Sequence, residues 1–155
     1  MTTPPEFPAE TPAATPANLA PWGTRALGYL IDFAPVWILD ALTYRNTVLF
    51  SFLGLISFAY FIYMGHLDGL TGQTPGKAIM GIRVVNLQGQ VIGSGSGIAR
   101  KFAHIVDAIV CGLGFLLPLV DAQRQTIADK IVNTYVVEGV EKKPFAVDLW
   151  FPPKS

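Results

Sequence analysis

The sequence predicts an all-α membrane protein: a small transmembrane bundle of two long helices plus a kinked or re-entrant third segment, with a small cytoplasmic β-hairpin or sheet. Three observations predict it. Of the 155 residues, 51% are hydrophobic and 14% charged, whereas a soluble domain carries roughly a quarter charged residues. The run TVLFSFLGLISFAYFIYMG, residues 47–65, has no charge over 19 residues, long enough to cross ~30 Å of hydrocarbon. Finally, the β-branched blocks GIRVVNLQGQVI and NTYVVEGV stand apart from the apolar runs.

The chain opens with MTTPPEFPAETPAATPANLAP, six prolines in 21 residues with Glu6 and Glu10 as its charged side chains. Such a tract favours an extended, polyproline-like conformation over helix. It reads either as a disordered cytoplasmic tail or as an arm that lies along a partner, since a preformed extended segment loses little entropy on docking. The first 24 residues contain no Lys or Arg, so no secretory signal is expected.

Residues 22–42 form the first expected span, apolar apart from Arg25, Asp32 and Asp40. Trp22 suits an interfacial anchor, and Asn18 or Thr24 suits the helix cap. Arg45 and Asn46 leave room for only a short turn, so the second span, residues 47–65, returns antiparallel. Tyr60, Phe61 and Tyr63 suit an aromatic belt. A polar, glycine-rich stretch follows, in which GIRVVNLQGQVI is expected to form two strands about a Gln88–Gly89 turn. Residues 98–121 are apolar but interrupted by Gly112, Gly114 and Pro118, and NTYVVEGV is a third strand candidate. The closing PFAVDLWFPP suits a membrane surface. These divisions give a tail (1–20), a transmembrane domain (21–138) and a C-terminal tail (139–155).

Positive charge sets the expected orientation. The turn between the spans has Arg45 alone, whereas Lys77, Arg83, Arg100, Lys101, Arg124, Lys130, Lys142 and Lys143 lie beyond the second span. The positive-inside rule places the N-terminus, the central region and the C-terminus in the cytoplasm. A third simple crossing would put the C-terminus outside. Residues 98–121 are therefore expected to enter and return, broken near Gly112-Leu113-Gly114, as is tolerated where the freed backbone is buried in protein.

Several activities lose support at this level. GQTPGKAI lacks the phosphate-loop spacing and its hydroxyl residue, and GSGSG (residues 93–97) reads as a flexible linker with a helix cap. His66 and His104 have no second ligand at metal spacing, and Cys111 is a lone cysteine. No nucleophile with a base and orienting group can be assembled, so the expectation is a protein that is not an enzyme and uses no cofactor. Zero net charge gives no reason to expect nucleic acid.

What remains are ionisable residues inside apolar sequence. RALGYLID and RKFAHIVD each place an arginine seven residues before an aspartate: Arg25 with Asp32, and Arg100 with Asp107. Two helical turns put each pair on one face but about 10 Å apart, too far for direct pairing. Charges at such depth face protein or water and tend to be functional. The arginines are expected to snorkel toward the cytoplasmic rim, and the aspartates to share one polar site. That site is either an ion-binding one or neutral glue between helices.

With Arg25 and Asp32 in the first span, GQTPGKAIMGIRVVNLQGQ in the centre and RQTIADKIVNTYVV at the end, the chain resembles the RDD family of small membrane proteins. That family is named for one arginine and two aspartates, and often carries a proline-rich N-terminus. The resemblance implies that Arg25 and Asp32 are its arginine and first aspartate, and that Asp107 or Asp129 is the second. Asn133 departs from the glycine more usual before the threonine. Two functions are carried forward. One is a non-enzymatic accessory or assembly subunit of a larger membrane complex, such as a respiratory supercomplex of the bacterial plasma membrane. The other is a small oligomeric cation/proton transporter, as the resemblance implies for some members. The expected partners are the bilayer and either such a complex or copies of the chain.

Overall fold

A computed structural model describes residues 16–151. The proline-rich tract through residue 15, where the tail or arm was expected, lies outside the described residues. Helix α1 (Trp22–Thr43) and helix α2 (Thr47–Thr71) are long and apolar enough to cross a membrane. Their 22 and 25 residues correspond to about 33 and 37 Å. The α1 start has no side-chain cap; Pro21 precedes it, and Asn18 instead donates to the Glu138 carbonyl. At the turn, Asn46 Oδ1 accepts from Leu49 N at 3.1 Å and caps α2. Helix α2 runs six residues beyond the apolar stretch ending at Gly65, because its sequence GHLDGLT meets no breaker until left-handed Gly72 (φ 72°).

Beyond α2 the chain folds into short capped pieces. Helix α3 (Pro75–Met80) has Thr74 as N-cap, proline at its first position and left-handed Gly81 at its end. Strand β1 (Ile82–Asn86) follows, and the expected second strand at residues 90–92 does not form. Asn86 Oδ1 accepts from both Gln88 N and Gln90 N at 2.9 Å, an Asx-type turn that carries the chain off the strand's line. Helix α4 therefore begins at Ser94 and runs to Ile109, with residues 94–97 as its first turn rather than a linker.

The third apolar segment breaks as expected. Cys111 (φ 56°) and Gly112 (φ 75°) are consecutive left-handed residues, and α4 is bent by 106° from the pair formed by helix α5 (Leu113–Leu116) and the 3-10 turn Leu117–Leu119. Helix α6 (Ile127–Val132) then opens with a Thr126–Asp129 capping box and ends at Asn133 (φ 53°). That dihedral explains the departure from glycine: asparagine is the side chain that best tolerates the left-handed region.

Strand β2 (Thr134–Glu138) pairs antiparallel with β1, Val84 facing Val136, so the sheet joins distant segments rather than forming a hairpin. On the other edge of β2, Leu19 bridges Val137 and Ala20 N donates to Val136 O at 2.8 Å. Val84 N donates to Gly72 O at 2.7 Å and Gly93 N to Gly69 O at 2.9 Å. The start of α1 and the end of α2 thus meet the sheet, and the end of α2 also holds the start of α4. Ala20, Ile82, Val84 and Val136 form the core there.

Small residues bring the helices together. Helix α2 packs on α4 and α1 on α3. Gly97 lies against Gly65 and Gly69, where an added Cβ would strike backbone, and Gly76 lies against the Gly28 carbonyl in the same way. A second cluster, Phe33, Met64 and Leu67, is covered by Tyr60, Tyr63 and Trp150. The Trp150 indole donates to Tyr60 Oη at 3.2 Å. The C-terminal segment therefore docks Trp150 inward, while Phe145, Val147 and Phe151 face outward.

Candidate functional site

One row of ionic contacts runs through five helices. Arg25 of α1 pairs with Asp129 Oδ2 of α6. The other oxygen of Asp129 takes Arg100 of α4, whose Nε lies at 2.8 Å. Arg100 Nη1 reaches Asp68 Oδ2 of α2 at 3.0 Å, and Lys77 Nζ of α3 reaches Asp68 Oδ1 at 2.6 Å. Asp68 and Asp129 are fully buried. Each of these two carboxylates is shared by two cations, the condition under which buried charge is tolerated. Burial alone would push the Asp129 carboxyl up, but the Arg100 and Arg25 guanidiniums outweigh it and hold it far below the usual carboxylate range.

Asp32 and Asp107 do a different job, and they do not form one site. Asp32 Oδ1 accepts from Gly76 N at 2.7 Å, and Oδ2 from the Thr74 hydroxyl. Asp107 Oδ1 accepts from Ile127 N at 2.9 Å; Oδ2 accepts from Ala128 N at 3.3 Å and from His104 Nδ1 at 2.7 Å. Each aspartate thus holds the N-terminus of a different short helix, α3 or α6, where amide donors and the helix dipole favour negative charge. Among the described residues the two share no hydrogen-bond partner. Arg100 is also placed differently from expectation: it is 2% exposed and mated within protein, rather than snorkelling at a rim.

The two halves of the chain repeat one design. QTPGKAIMGIRVVN (residues 73–86) and QTIADKIVNTYVVE (residues 125–138) align at an offset of 52 residues. Gln73 Nε2 donates to Ile82 O at 2.9 Å, and Gln125 Nε2 to Thr134 O at 2.8 Å. The strand register maps onto itself under this exchange, Ile82 with Glu138 becoming Thr134 with Asn86. The Arg-to-Asp helices α1 and α4 then correspond, each aspartate capping the short helix of its own half. In this scheme Lys77 stands where the second half has Asp129. Arg100 therefore meets a cation where Arg25 meets an anion, and Asp68 lies between Arg100 and Lys77 and accepts from both.

Sequence reasoning missed Asp68, because the second span was ended three residues before it. It also missed the roles of Lys77 and Lys101. The signal for the repeat was present in the paired Gln-Thr and Val-Val steps. The signal for Asp68 was present in Gly65-x-x-x-Gly69, a small-residue spacing that argues for continued helix packing.

Beside the ionic row lies a cavity of about 380 Å³, walled by Trp22, Tyr29 and Phe115 and by the charged Asp32, Lys77 and Lys101, among others. The Trp22 indole donates to Phe115 O at 2.8 Å across one side of it. Among the described residues no group of three or more His, Cys, Asp or Glu side chains could hold a metal ion.

The RDD family model matches residues 19–133, which takes in the whole ionic row and both capping aspartates. The chain is 34% identical to the proline-rich antigen of Mycobacterium leprae, over 73% of this chain and 58% of that protein. It is 33% identical to the proline-rich antigen homolog of Mycobacterium tuberculosis, over 77% and 63%. An uncharacterised Bacillus subtilis protein is 38% identical over 49% of this chain and 50% of its own. The chain thus spans about three fifths of the length of the mycobacterial relatives. No solved structure matches. With three quarters of its length inside the family's boundaries, the chain belongs to the RDD family.

Proposed function

We propose that this membrane protein is a non-enzymatic accessory or assembly subunit of a larger complex of the bacterial plasma membrane, such as a respiratory supercomplex. The observation that carries this reading is the ionic row: its two carboxylates are mated on both oxygens and tie five helices together. Charges spent in this way build a rigid body. The rest of the hairpin is an apolar projection, with Trp37, Ile38, Leu42, Val48, Phe52 and Leu55 exposed. It is long enough to meet lipid and the spans of a partner together. The cation excess on the sheet side supports a cytoplasmic N-terminus, sheet and C-terminus by the positive-inside rule, with the proline-rich tract as an arm on the partner.

A cation/proton transporter is the second reading. Asp32 favours it, since it lines the cavity and takes its hydrogen bonds from neutral donors. Lys77 and Lys101 line the same wall and oppose a metal cation there, so the accessory role is better supported. Proteoliposomes separate the two. The accessory role predicts no proton-coupled cation flux above empty vesicles, with Asp32→Asn still folded because asparagine can accept one of the two bonds. Flux in the wild type that Asp32→Asn abolishes would establish the transporter instead.

A further inference from the structure

We propose that the cavity between α1 and the α4–α5 bend binds the anionic head of an amphiphile, its oxyanion on the Lys101 ammonium and its acyl chain running out past α1 toward the bilayer. Lys101 is 2% exposed. Among the described residues its ammonium makes no hydrogen bond and no ion pair; it stands over the rings of Phe33 (5.1 Å) and Tyr29 (5.8 Å). Ring faces accept a cation's field but none of its three N–H donors. The Lys101 ammonium, which lines the cavity, thus has donors available to an acceptor that enters it.

The neighbouring charges do not supply that acceptor. Lys77 and Arg100 are committed to Asp68, and Arg25 to Asp129. Asp32, the carboxylate in the cavity wall, has both oxygens engaged at the start of α3. The repeat sharpens the point. Aligning Arg25 with Arg100 puts Ala26 opposite Lys101, so the second half carries a lysine where the first half has a methyl group, and both line the cavity.

The remaining wall selects the ligand class. Arg25, Lys77, Lys101 and Arg100 face the space with Asp32, among apolar and aromatic side chains such as Trp22, Leu30 and Phe115. That pattern fits one oxyanion on an apolar body. At about 380 Å³ the space holds a head and the first methylenes, not whole acyl chains. The oxyanion is the phosphate of a phospholipid or the carboxylate of a fatty acid, which present the same chemistry to an ammonium. The inference is independent of the accessory role.

The test is thermal unfolding of the full chain in dodecyl maltoside, with phosphatidylglycerol, oleate or inorganic phosphate added. Phosphatidylglycerol or oleate should raise Tm in a saturable way, by about 3 °C or more, because a ligand bound by the native state stabilises it by mass action. The amphiphile that acts identifies the source. Inorganic phosphate, lacking the apolar body, should not act. Lys101→Met should abolish the rise; it removes the ammonium while its thioether can keep contact with the Phe33 and Tyr29 rings. Ala26→Phe, which fills the cavity and keeps the lysine, should abolish the rise as well, and it decides the matter if Lys101→Met does not fold. The proposal is overturned if neither amphiphile raises Tm, if free phosphate reproduces the rise, or if either variant responds as the wild type does.

Discussion

Replacing Asp129 by Asn is expected to leave little folded protein in a detergent extract. The carboxylate receives Arg25 on one oxygen and Arg100 on the other, and its Oδ2 also accepts from Thr126 N at 3.1 Å to close the capping box. The amide keeps the volume but removes the charge, leaving two guanidiniums facing each other across a neutral group. Breaking a buried pair by removing one partner costs about 3–5 kcal/mol, a large part of the about 5–15 kcal/mol that holds a domain folded. Thermal unfolding of wild type and variant in the same detergent reads the loss directly. The same residue sets an acid limit. Its folded pKa lies below its ordinary value of 3.8, so its contribution is fully present above that value and is lost as pH falls toward the folded pKa. This contribution should therefore stay constant from pH 8 to about pH 5 and weaken below about pH 4.

Gly97→Leu is expected to be nearly as damaging, by a separate mechanism. A Cβ at Gly97 would strike the Gly65 carbonyl and the Gly69 backbone, so even alanine forces α2 and α4 apart. Leucine adds three more carbons with no space to enter. Overpacking costs about 1–3 kcal/mol where side chains can yield, and backbone against backbone cannot yield, so the cost should lie at or above the top of that range. Separating these helices also draws Asp68 away from Arg100. A sharp fall in Tm, with Gly95→Ala as a control because a Cβ there meets open space, is the expected pattern. Equal stability of the two variants would mean that the glycine contact is not what sets the α2–α4 distance.

Part of the fold is legible in the sequence. The spans, the broken third segment and the strand character of IRVV and TYVV follow from hydropathy, glycine placement and β-branching, which are local properties of the chain. Arg25, Asp32, Arg100 and Asp107 stand out because charge is rare in apolar sequence, and Asp129 through the resemblance of RQTIADKIVNTYVV to the family's closing block. Their partners were not legible. Seven-residue spacing puts Arg25 and Asp32 on one face without naming their partners: Arg25 reaches across more than a hundred residues to Asp129, and Asp32 reaches to Gly76. Periodicity reports which face a residue occupies, and long-range pairing depends on how helices dock. GSGSG misled for a related reason: glycine density suggests flexibility, but at Gly97 the missing side chain is what permits contact. Lys77 and Lys101 looked like ordinary cytoplasmic cations until α3 and α4 folded them inward.

The accessory role is tested most directly by the size of the particle that carries the chain out of its own membrane. The full chain, tagged at its C-terminus and expressed at native level, would be extracted in digitonin and run on a native gel with antibody detection. The account predicts a band far heavier than the 16.8 kDa monomer, containing other membrane proteins in fixed ratio that remain through a second purification. Migration of all the chain as a monomer, or as an oligomer of itself alone, would contradict it.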